Sequence, residues 1–244
     1  MSLQKSTQLL AFAILIATVQ ATRFSFDRGL CQRLGNEALH GCPKSTLRVG
    51  PHAEFQHIQD AIDSISDRPD PFVILVEPGN YTEQLNITRA GSLWVLGVTD
   101  SPNDRTKNSV NVIWHNATGT ATTGTYDNAY TSTLTIAPTF NASLTGTGPT
   151  GFDVPPDTPF GNIDFRTYNL NFINDYLPYA AGPSLALSIS YANGGFYYTR
   201  FLSYQDTVSA FCLFACEKLT EIVAGLCREA WKRLHVRIGG GRPN

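Results

Sequence analysis

Gln205 and Asp206 set a carboxamide beside a carboxylate at the end of a Tyr-rich strand pattern. Amide N–H groups can hold charge developing on oxygen, and a carboxylate can attack a carbonyl or exchange a proton, so the pair has parts that ester cleavage needs. Taken alone, such residues are more often polar strand ends. Gly182-Pro183-Ser184-Leu185-Ala186 imitates a nucleophile elbow, but the second glycine is missing and no strand-to-helix turn follows, so Ser184 reads as structural. Cys212, Cys216 and Cys227 are odd in number and uneven in spacing, which fits neither a metal site nor a disulfide framework.

The remaining cysteines, Cys31 and Cys42, lie close together, and in an oxidising compartment they are expected to close a short loop; two free thiols are the alternative. Oxidising surroundings are suggested by residues 1–21, where Lys5 precedes an apolar run from Leu9 to Val19 and then Val19-Gln20-Ala21. That is the layout of a secretory signal peptide cleaved after Ala21, and the run is short for a membrane anchor. Four Asn-X-Ser/Thr sequons, at Asn80, Asn86, Asn116 and Asn141, point the same way, to a secreted glycoprotein of the extracellular space. A net charge of −2 over 244 residues gives no electrostatic case for nucleic acid.

The elements that would position these groups follow from periodicity. Phe55, Ile58, Ala61, Ile62 and Ile65 recur at helical spacing, giving an amphipathic helix of about three turns that ends before Pro69. Short strands come next: 72–77, 83–87, 93–98, 110–115, 132–137, 163–172, 185–190 and 196–202, separated by signals such as Pro78-Gly79-Asn80 and Ala90-Gly91. Short strands behind one helix suit a sandwich or a right-handed parallel β-helix, and Asn169, Asn171 and Asn174 favour the β-helix because stacked amides can ladder along a solenoid. The helix would cap the solenoid's first coil.

Residues 48–208 resemble a pectin methylesterase of the fungal type, on four pieces in that family's order. These are the helix Phe55–Ile65, the Pro-Gly-x-Tyr-x-Glu core of Pro78 to Glu83, Asn162-Ile163-Asp164-Phe165 with Asn169 to Asn174, and Tyr204-Gln205-Asp206-Thr207. The resemblance implies an all-β, single-stranded, right-handed parallel β-helix of the pectin-lyase-like kind, incomplete at its C-terminal end. It implies an aspartyl esterase in which one Asp attacks a galacturonate methyl ester and a second moves the proton of departing methanol. Gln205 would then be an oxyanion donor and Asp206 the general acid/base, with Tyr204 and Phe196 offering faces to sugar rings. No metal or organic cofactor is needed. The partner is the pectin (homogalacturonan) of the plant cell wall, met by a monomer that has no membrane attachment once its leader is removed.

The match also fails in places. Where the family has its other oxyanion glutamine the chain has Pro183, so a nearby backbone amide substitutes or the hole is weaker. The nucleophilic Asp should follow about twenty residues after Asp206, but that distance offers Val223 to Glu229, and no Asp occurs after Asp206. Gly241-Arg242-Pro243 imitates the clamp-arginine motif and arrives too early. Residues 210–244 read instead as an unrelated tail, helical through Leu219, Ile222, Val223, Leu226, Ala230 and Leu234. The tail is either a cap on the solenoid, a basic segment on a membrane surface, or an artefact of reading frame. The domain plan is therefore a leader at 1–21, an extension at 22–47, a partial esterase solenoid at 48–209 and the tail. The expected function is a pectinesterase whose turnover in this chain is poor, with a non-catalytic pectin-binding decoy as the alternative. Lyase and polygalacturonase readings lack their acidic clusters.

Overall fold

Three short strands per coil, repeated four times, make up the body of the protein. The structure is a computed structural model that describes residues 24–33, 39–120, 127–144, 157–176, 182–204, 207–211 and 236–238. A leading strand, β1 (Leu47–Val49), is followed by the first coil, β2 (Phe72–Val76), β3 (Gly79–Thr82) and β4 (Leu85–Ile87). The second coil is β5 (Leu93–Gly97), β6 (Val110–Trp114) and β7 (Leu134–Ile136), and the third is β8 (Phe165–Tyr168), β9 (Leu170–Asn174) and β10 (Leu187–Ser190). The fourth is β11 (Gly194–Tyr197), β12 (Arg200–Leu202) and β13 (Val208–Phe211), after which β14 (Val236–Ile238) returns to the first sheet.

Each strand pairs in parallel with its counterpart one coil on, giving three sheets, β1-β2-β5-β8-β11-β14, β3-β6-β9-β12 and β4-β7-β10-β13. They are called A, B and C below. This is a parallel β-helix. The register is strict because the interior is a set of like-with-like columns. Leu85, Leu134, Leu187 and Val208 align in sheet C, and Tyr81, Val112, Phe172 and Phe201 in sheet B. The Phe172 and Phe201 rings stack at 5.5 Å. With the inner columns apolar apart from the buried Thr167, which stands between Val95 and Phe196, a one-residue slip would expose the core.

Two expected strands are each divided in two. The run 163–172 breaks at Asn169 and the run 196–202 at Tyr198, with φ of 58° and 52°, so one left-handed residue turns the chain from sheet A to sheet B in successive coils. Asn169 fits its corner because its amide donates to Asn108 Oδ1 and its carbonyl oxygen accepts from Gln32. The backbone carbonyl of Asn169 lies so close to Gly97 that a Cβ there would overlap it. Of the three asparagines expected to ladder, Asn171 does so. It donates to Asn111 (2.8 Å), which donates to Asn80 (2.8 Å), on the outer face of sheet B.

The helix is shorter than its periodicity suggests. α2 is Ile58–Asp63, following a single turn, α1 (Arg28–Cys31). Phe55 is withheld from α2 by a β-bridge to Val49, and its carbonyl accepts from Gly50. α2 lies against β1, β2 and β4, with Ile58, Ala61 and Ile62 buried in the core.

The segment around α1 covers the outside of sheet A. Phe24 and Phe26 pack on Trp94, the Arg28 guanidinium lies 4.7 Å from the Tyr168 ring centre, and a disulfide joins Cys31 to Cys42. Burial lowers the Arg28 pKa from its usual value, and Tyr168, Tyr198 and Asp27 offset this in part. Among the described residues no helix is long and apolar enough to cross a membrane, and no group of acidic, His or Cys side chains is arranged to hold a metal. Residues 1–21, the sequence expected to be helical at 219–234, and Cys212, Cys216 and Cys227 fall outside the described residues. β13 runs across the boundary expected at residue 209.

Candidate functional site

The exits of the sheet B strands, where each coil turns toward sheet C, collect the polar side chains of the fold. β6, β9 and β12 lie in register, Ile113 opposite Ile173 and Ile173 opposite Leu202. Carried two residues on, the same count brings His115, Asp175 and Tyr204 to one level of three successive coils, with Asn116 and Tyr176 one step further along. Hydrogen bonding continues past the strands, since the Asp175 amide donates to the Trp114 carbonyl at 3.1 Å.

Asn174 holds these turns together. Only 1% exposed, its Nδ2 donates to the carbonyls of Asn116 (2.9 Å), Thr131 (2.7 Å) and Leu185 (3.1 Å), while its Oδ1 accepts from the Tyr176 amide. One buried amide thus satisfies backbone groups from two coils that would otherwise be left unpaired. Its task is to fix turns, which its place in an Asn-rich strand does not reveal.

The segment around Pro183 is equally fixed. The Pro183 carbonyl accepts from Thr118, and the Leu185 amide donates to Thr131 Oγ1 at 2.9 Å. The Ala186 and Leu187 amides both donate to the Thr207 carbonyl, at 2.9 and 3.1 Å, and Ser203 Oγ donates to the Ser184 carbonyl. These three amides are therefore committed to structure and are not free to replace the missing glutamine. Ser184 is 2% exposed, with its hydroxyl 3.2 Å from that of Ser203.

Gln205 and Asp206 themselves fall outside the described residues. Their neighbours do not: Tyr204 is 56% exposed at the mouth of the turn, and Thr207 is pinned to the adjacent coil. Phe196 requires a correction. Its ring is 2% exposed, 5.0 Å from Phe201 and 6.4 Å from Phe165. It points into the solenoid because it continues the inner column of Ile74 and Val95, so it has no face for a sugar. Of the sequon asparagines, Asn80 and Asn141 are exposed, and Asn86 and Asn116 are half-buried.

No protein-family model matches the sequence. A probable pectinesterase A of Aspergillus niger is 30% identical over 173 residues, covering 70% of this chain and 43% of that protein. The crystal structure of a pectin methylesterase from Aspergillus niger superposes with a TM-score of 0.53 at 26% identity, over 71% of this chain and 47% of that one. This solenoid is of the fungal pectin methylesterase type. A pectin methylesterase solved in complex with a hexasaccharide shares the fold, with a TM-score of 0.50 at 23% identity, over 67% of this chain and 45% of that one. The chain spans about half the length of the curated relatives it matches.

In this esterase-type solenoid, most of the motif residues prove to be scaffold. Glu83 closes the Pro-Gly-x-Tyr-x-Glu core by accepting from the Ile58 and Gln59 amides, both at 2.9 Å, at the start of α2. Tyr81 donates to the Glu77 carbonyl at 2.9 Å, and burial, reinforced by the carboxylates of Glu77 and Glu83, pushes its pKa up to about 12. Asn162 donates to the Arg89 and Gly91 carbonyls, and Asp164 accepts from the Trp94 indole at 3.1 Å and from Arg166 at 2.6 Å. The sequence reading had no motif for His115 and Asp175, whose Nδ1 and Oδ1 lie 2.8 Å apart beside the Tyr176 ring. Only the coil register, once counted, shows them at the level of Tyr204.

Proposed function

We propose that the protein is a pectinesterase, hydrolysing galacturonate methyl esters of plant cell-wall pectin with release of methanol. Asp206 serves as general acid/base and Gln205 as oxyanion donor, in an aspartyl mechanism without cofactor. The observation that carries this reading is the bracketing of Tyr204 to Thr207. Ser203 and Thr207 are tied to the Ser184–Leu187 segment of the neighbouring coil, so the chain is fixed on both sides of the two functional residues. Such anchoring is what a reacting pair needs, because catalysis depends on groups held in place before substrate arrives.

A chain with only these 244 residues has no Asp after Asp206 to act as nucleophile. It binds pectin and turns it over poorly, which also fits a decoy. The leader pattern, the disulfide and the exposed sequons at Asn80 and Asn141 support secretion to the cell wall as a glycosylated monomer, with strand pairing of the solenoid continuing past residue 209 through β13 and β14. Methanol release from highly methylated pectin, measured for this chain and for Asp206→Ala, tests the chemistry. Binding to pectin with little methanol from either protein is expected. Rapid release abolished by Asp206→Ala would overturn the expectation of poor turnover, and absence of any pectin binding would defeat the functional reading.

A further inference from the structure

On that functional reading, we propose that His115 and Tyr176 form a platform for one sugar ring of the pectin chain, on the two coils before the one that carries Tyr204, with Asp175 as the residue that positions it. The two rings lie 4.7 Å apart and are tilted by 50°. The side chains of His115 and Asp175 are 61% and 52% exposed. An ion pair so open to water contributes little to folding, and nothing in the core depends on it. Its geometric effect is definite, however: Asp175 engages Nδ1 of His115 and fixes the plane of the imidazole. Nε2 is left on the far side of the ring, without a partner among the described residues, for a sugar hydroxyl.

The occupant follows from shape and chemistry. Pyranose rings present an apolar C–H face and a rim of hydroxyls, which matches aromatic faces edged by an imidazole nitrogen and a phenol. Among the described residues no basic side chain lies over either ring, as selection of a phosphate would require. The level shared by His115, Asp175 and Tyr204 advances by one strand spacing, roughly 4.8 Å, per coil. That is close to the length of one pyranose unit, so a linear polysaccharide lying along the solenoid axis would place one unit over His115 and Tyr176 and a later unit beside Tyr204.

Affinity for a galacturonate hexamer, in methyl-esterified and unesterified forms, would be measured by calorimetry on the full chain. Tyr176→Ala and His115→Ala are expected to weaken binding roughly five- to tenfold each, the size of a lost ring contact. Tyr176→Phe, which keeps the ring, should bind nearly as the parent does. Phe160→Ala, which removes an aromatic side chain 44% exposed at a C-to-A corner, should change nothing. Thermal midpoints of all variants within about a degree or two of the parent are expected for side chains outside the core, and would separate lost contact from lost fold. Parent-like binding by both alanine variants overturns the platform and leaves the functional reading intact. A Tyr176→Phe protein as weak as Tyr176→Ala also overturns it, since the ring face would not be the contact. A parent chain that binds neither hexamer removes the functional reading and the platform together.

Discussion

Glu83→Ala removes in one step the acceptor for two backbone amides at the start of α2. The Ile58 and Gln59 N–H groups each reach a separate carboxylate oxygen at 2.9 Å, and Glu83 is 9% exposed, so water cannot readily replace it. A hydrogen bond to a charged group is worth about 1.5–3 kcal/mol net, so losing the pair should cost about 4 kcal/mol. For a protein of this size that is a fall in Tm of roughly 8–16 °C. Glu83→Gln keeps one oxygen and turns an N–H toward the second amide, and about half the loss is expected. Urea unfolding followed by circular dichroism would give both values, with m unchanged if the folded core persists. A loss below about 1 kcal/mol for Glu83→Ala would refute the argument, because two buried amides cannot be abandoned so cheaply. The reasoning would also fail if Glu83→Gln were as damaging as Glu83→Ala, since then side-chain volume and not hydrogen bonding would decide.

Replacing both Cys31 and Cys42 by Ser opens the loop that holds the α1 segment on sheet A, and about 3 kcal/mol of stability should be lost from a closed loop of this length; non-reducing and reducing denaturation curves of the parent measure the same quantity. Asn174→Asp substitutes an acceptor for the donor that faces three carbonyls, so it should be worse than Asn174→Ala, whose cost is about 3 kcal/mol; the order of the two midpoints is the check. Tyr81, with its folded pKa raised to about 12 from about 10 unfolded, contributes stability that is complete below pH 10 and is lost as pH rises toward 12. Over that interval the parent should lose on the order of 2 kcal/mol relative to Tyr81→Phe, and parallel pH profiles for the two would contradict it.

The solenoid was legible where the sequence repeats a physical demand. Alternating apolar residues in short runs marked the strands, because every coil must fill the same narrow interior, and Asn171 was rightly placed in a ladder. The corners were not legible. Asn169 and Tyr198 take left-handed backbone inside runs, 165–172 and 196–202, that hold no glycine or proline to announce a turn. Phe196 was misread for the related reason that an aromatic beside two tyrosines can face either way until the register is known. Gly194 and Gly195 before it are paired with Phe165 and Arg166, and that pairing sends Phe196 inward and Tyr197 outward.

The same distinction explains why the family motifs were easier to find than the site. Pro78 to Glu83 and Asn162 to Asp164 are recognisable because each satisfies several backbone groups at fixed spacing, and a scaffold of this kind tolerates few alternatives. His115, Asp175 and Tyr204 are separated by 60 and 29 positions and share a level only because the connections between strands differ in length from coil to coil, above all those from sheet C back to sheet A, 137–164 in one coil and 191–193 in the next. Local pattern has no access to that relation. A groove on a solenoid is assembled from residues at the period of the coil, and where that period varies, register between neighbouring strands is the quantity from which function has to be read.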